Sequence, residues 1–140
     1  MFNERQQKTL RAALDCLIPP DDFPGAWDAG VGDYLDGLLR GDEAQLQPVY
    51  RLGLDALEAE AQAQYGTGFA ELKAARQETL LKAVEEGEVD ALWPIPARQF
   101  FALLNRHAAE GFYSDPGNGG NREAVSWQMI GFGVREGARA

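Results

Sequence analysis

The side chains able to do chemistry are few, and their spacing argues against a complete catalytic set. His107 is the only histidine and Cys16 the only cysteine. A nucleophile activated by a histidine base would have to pair His107 with Ser114, Ser126 or Cys16. Ser114 lies beyond the expected end of the helix that carries His107, so the local spacing does not build that pair. His107 reads instead as a helix residue near a C-terminus, where a partial positive charge is favourable. Cys16 adjoins Leu17 and Ile18 and reads as a small buried side chain.

A metal site built mainly from Cys and His ligands is excluded by the same counts. The segment Gly66-Thr67-Gly68-Phe69-Ala70-Glu71 lacks the third glycine of a dinucleotide loop, and no Gly-Lys pair supplies a phosphate loop. Read as a calcium loop from Asp115, the chain offers Gly117, Gly119 and Ser126 where oxygen ligands are needed. Acid pairs occur at Asp21-Asp22, Asp42-Glu43 and Glu85-Glu86, but nothing in their surroundings separates two pKa values as acid/base catalysis requires. Asp21 and Asp22 read as loop residues bonded to nearby amides. The acidic stretch that ends at Asp90 reads as a solvated face. Trp27, Trp93 and Trp127 read as core or interface residues.

The elements that would position these groups are helical throughout. Leu10, Leu14, Leu17 and Ile18 mark one face of a first helix, stopped by Pro19-Pro20. After a bend through Pro24, Gly25, Gly30 and Gly32, a short helix carries Val31, Tyr34, Leu35, Leu38 and Leu39 to Gly41. From Pro48 to about Tyr65, Tyr50, Leu54, Leu57 and Ala61 share a face, with Gly66 at the end. Phe69 and Leu72 lead into a segment with Leu80, Leu81 and Val84 that closes at Gly87. Pro96 to Gly111 then places Phe100, Phe101, Leu104 and Ala108 at helical spacing. The expected fold is all-α, a compact single domain over 1–140 with five or six helices around one core.

From Gly111 the pattern breaks into a loop dense in glycine, proline and asparagine, expected to be ordered, with Val125, Trp127 and Ile130 in a last turn or two. Phe112, Tyr113, Trp127 and Phe132 in or beside it are the candidate residues for a partner interface. The chain has 140 residues, with 13 basic against 22 acidic and a formal net charge of −9. That balance opposes capture of nucleic acid or of anionic lipid. No signal peptide or membrane span is visible at the N-terminus, so the expected location is cytoplasmic, or periplasmic if a leader has been removed.

Two stretches resemble the gluconate 2-dehydrogenase subunit 3 family. The opening carries Leu17-Ile18-Pro19-Pro20-Asp21-Asp22, Pro24-Gly25-Ala26, Ala29-Gly30-Val31 and Tyr34-Leu35-Asp36. The close carries Phe100-Phe101-Ala102-Leu103, Glu110 to Pro116, Gly119-Gly120-Asn121, Trp127 and Ile130-Gly131-Phe132. The resemblance implies a small accessory, non-catalytic subunit. Its partner would be a large FAD-dependent sugar or sugar-acid dehydrogenase of the glucose-methanol-choline type, with a haem-bearing cytochrome c as a possible third subunit. It also implies that this chain carries neither FAD nor haem and supports folding, maturation or export of the large subunit. Asn118 and Gly133 depart from the aromatic and the proline usual in that family's loop, and no leader is visible. Two other classes remain open from the residues alone: a small-ligand-binding helical module, and a free-standing enzyme using carboxylates and His107.

Overall fold

The computed structural model describes residues 1–20 and 25–113. Within them the regular structure is five α-helices and two short 3-10 turns, with no strand. Helix α1 spans Glu4–Leu17, α2 Val31–Arg40, α3 Gln47–Tyr65, α4 Ala74–Glu86 and α5 Ala97–Phe112. The 3-10 turns cover Ala44–Leu46 and Phe69–Glu71. The loop expected after Tyr113, with Trp127 and Phe132, lies outside the described residues, as do Asp21 and Asp22.

Local chemistry sets the helix ends. Asn3 caps α1 by accepting the amide of Gln6 at 2.7 Å, while the Gln6 side chain accepts the amide of Asn3 at 3.0 Å, a reciprocal pair that satisfies two otherwise unpaired donors. Pro19 and Pro20 bar the continuation of α1. Pro48 sits in the first turn of α3, where a missing amide hydrogen costs nothing. Gly66 and Gly87 end α3 and α4 at φ of 74° and 76°, a left-handed conformation that favours glycine.

The inward faces follow the sequence spacing. Leu10 and Leu14 of α1, Leu35 and Leu39 of α2, Tyr50, Leu54 and Leu57 of α3, Leu80, Leu81 and Val84 of α4, and Phe100, Leu104 and Ala108 of α5 share one core. Leu17, Ile18 and Phe101 pack at its margin, half-buried. Helix α4 lies against α5 and α1, α3 against α1 and α5, and α2 against α5. Among the described residues, no helix is long and apolar enough to cross a membrane.

Candidate docking surface

His107 lies in the C-terminal half of α5, as its spacing predicts, but it is enclosed and does not carry the partial positive charge expected there. It lies inside α5, 1 % exposed, with its ring stacked on Tyr50 at a centroid distance of 5.8 Å. Nδ1 lies 2.8 Å from the Tyr50 hydroxyl and Nε2 lies 3.5 Å from Arg106 Nη2. Burial holds its pKa below the ordinary value, with Glu110 opposing that shift and Arg106 adding to it. The side chain is therefore a neutral core group, and the favourable positive charge expected for it is absent. The cause is register: position 107 falls on the same face as Phe100, Leu104 and Ala108. The imidazole is thus enclosed in the core and not presented at the surface.

Cys16 is half-buried at the edge of a cleft of about 310 Å³ formed with Leu17, Leu81 and Phe101 and rimmed by Glu78 and Lys82. Burial, and secondarily Glu78, push its thiol up to about 11, so it is protonated at neutral pH and a poor nucleophile. Glu85 and Glu86 are exposed, as is Asp42, and Glu88 and Asp90 extend the solvated acidic face that the sequence implied. Among the described residues, no group of three or more His, Cys, Asp or Glu side chains could hold a metal ion.

Sequence reasoning missed Glu60. It is completely buried on the apolar face of α3, and its carboxylate accepts the amides of Asp90 at 2.6 Å and Ala91 at 2.9 Å. The Trp93 indole donates to it at 3.0 Å and the Gln64 amide at 2.6 Å. Burial by itself raises this carboxyl's pKa, but the amides of Asp90 and Ala91, then Trp93 and Gln64, outweigh it and leave it lowered. The signal was present: Glu60 falls on the same stripe as Leu57 and Ala61, where an acid needs partners.

The four interface candidates separate. Phe112 is 1 % exposed and belongs to the core, whereas Tyr113 is half-buried at the surface and packs edge-on against it at 5.5 Å. Trp127 and Phe132 are outside the described residues. Beside Tyr113, a side chain at Gly111 would meet the Tyr34 ring at 2.8 Å, so α2 and α5 approach closely here. Tyr34 donates to Glu110 at 3.3 Å, adding an aromatic body with a polar tip to the same end of α5. This end of the bundle presents the half-buried rings of Tyr34 and Tyr113, each an apolar body with a polar tip.

The chain matches the family described as gluconate 2-dehydrogenase subunit 3 over residues 4–133. No curated protein matches it, and no solved structure matches it.

Proposed function

The chain belongs to the gluconate 2-dehydrogenase subunit 3 family, and from that premise we propose that it is the non-catalytic accessory subunit of a flavin-dependent dehydrogenase. Its family makes it one subunit of a multi-subunit dehydrogenase complex. The reading goes further in giving the FAD and the sugar or sugar-acid oxidation to a large subunit of the glucose-methanol-choline type. A cytochrome c subunit with haem would carry electrons onward. This chain's contribution is to fold against the large subunit and support its stability, maturation or export.

One observation carries the reading: the only histidine is consumed in the core with Tyr50, while half-buried aromatics collect at the surface where α2 meets the end of α5. Tyr113, Trp127 and Phe132 are proposed as contact residues, with Phe112 holding Tyr113 in place from beneath.

Affinity capture of the chain from its own cells, followed by mass spectrometry and a flavin spectrum, tests the proposal. A stoichiometric yellow partner is expected. Trp127→Ala should weaken association by about 2 kcal/mol or more if the indole is an interface anchor. Recovery of the chain alone and colourless under gentle conditions would remove the subunit role, and unchanged capture by Trp127→Ala would remove that residue from the interface.

A further inference from the structure

Between α4 and α5 the chain runs Ala91-Leu92-Trp93-Pro94-Ile95-Pro96, an unbroken apolar run in which no residue is fully buried. Ala91, Trp93 and Ile95 are half-buried, whereas Leu92, Pro94 and Pro96 are exposed. Exposure thus alternates along a non-helical run that bends at Ala91 and again at Pro94 and Ile95, one side resting on the protein. Its outer side is apolar, where a segment made only to meet water would carry polar residues. Leu92 is 93 % exposed.

A single exposed leucine is ordinary, but this one is held in place. The buried Glu60 carboxylate takes the amides of Asp90 and Ala91 and the Trp93 indole, so three donors fix the start of the run. Arg98 Nε donates to the Glu86 carbonyl at 3.2 Å and ties the helix that follows the run to the one before it. Pro94 and Pro96 restrict the backbone further, which reduces the entropy lost on binding. They also remove amide hydrogens, so a partner cannot simply add a strand to this edge. Recognition then rests on side chains, as for proline-rich segments seated in aromatic-lined grooves. Around the run, Glu85, Glu86, Glu88 and Asp90 are exposed acids, although Lys82 lies 3.5 Å from Glu86.

We propose that Leu92, Pro94 and Pro96 form a preorganised docking edge that enters an apolar recess, rimmed by lysine or arginine, on the large dehydrogenase subunit. The edge is separate from the aromatic end of α5, and the proposal rests on the accessory-subunit reading. The test is a titration of the dehydrogenase subunit that co-purifies with the wild-type chain against purified wild type and Leu92→Asp. Leu92→Asp should raise Kd by about tenfold or more with no change in melting temperature, since the side chain packs on almost nothing. The double variant Glu88→Lys/Asp90→Lys should slow association and flatten its dependence on salt. Binding of Leu92→Asp within about twofold of wild type overturns the docking edge and leaves the subunit role standing. If the wild-type chain retains no dehydrogenase subunit, both are overturned.

Discussion

At the scale of single residues, the sequence indicates which groups are chemically able but not which are enclosed. His107 and Glu60 both sit on apolar helix stripes, and in each case a distant partner decides the outcome: Tyr50 for one, the backbone at Asp90 and Ala91 for the other. Such pairings need the tertiary fold, so spacing along one helix could not supply them. The His107 arrangement has a consequence for stability. The groups facing it are Tyr50, Arg106, Glu110 and Glu43. Its pKa is lowered by burial, so as pH falls through the ordinary histidine range the unfolded chain takes up a proton that the folded chain refuses. Stability is therefore full above about pH 6.5 and is lost as pH falls toward the lowered folded pKa. Because no other histidine is present, replacing His107 isolates the imidazole's share of any slope in this window. Urea unfolding at several pH values between about 5.5 and 7.5 should show stability decreasing toward acid, and His107→Gln should remove most of that slope. Equal slopes in the two proteins would mean that the imidazole is not held neutral.

At the scale of helices, legibility was high because boundaries are written in local backbone chemistry. Pro19-Pro20, Gly41, Gly66 and Gly87 mark ends that the fold places at Leu17, Arg40, Tyr65 and Glu86. The 3-10 turns at Ala44–Leu46 and Phe69–Glu71 were not legible as such, since one turn gives too few positions to establish a period. The closeness of helix packing was equally hidden. Gly53 lies inside α3, where glycine is the poorer helix former by about 1 kcal/mol relative to alanine. Its reason for being there is α5: a Cβ at this position would overlap the Phe100 ring. Phe100 in turn packs edge-on against Tyr50 at 5.7 Å and lies 6.1 Å from Trp93, so the ring has little room to retreat. Overpacking of this kind costs about 1–3 kcal/mol, which exceeds the propensity gain over most of its range. Gly53→Ala should therefore lower stability, and combining it with Phe100→Leu should cost less than the sum of the two single changes. A stabilised Gly53→Ala protein in chemical denaturation would show that propensity, not the α3–α5 contact, governs this site.

At the scale of the whole molecule, the sequence implied an all-helical single core, and the described helices share one. What it could not separate was apolar surface committed to the core from apolar surface left exposed. Phe112 and Tyr113 are adjacent and similar, yet one is enclosed and the other half-buried; Leu92 and Val84 are both aliphatic, yet only Leu92 is left in water. That division decides how the molecule should respond to its partner. A dehydrogenase subunit that binds only the folded chain stabilises it by mass action, about 2.7 kcal/mol at a hundredfold excess over Kd. For a chain of this size the corresponding rise in melting temperature is roughly 5–10 °C. Tyr113→Ala should reduce that rise, measured from the variant's own free melting point, because its loss falls on the bound state more than on folding. A small sugar or sugar acid added without the partner should not reproduce the shift. If saturating dehydrogenase subunit leaves the melting temperature unchanged while a small ligand raises it, the exposed apolar groups are not a protein interface and the helical bundle is a ligand-binding module.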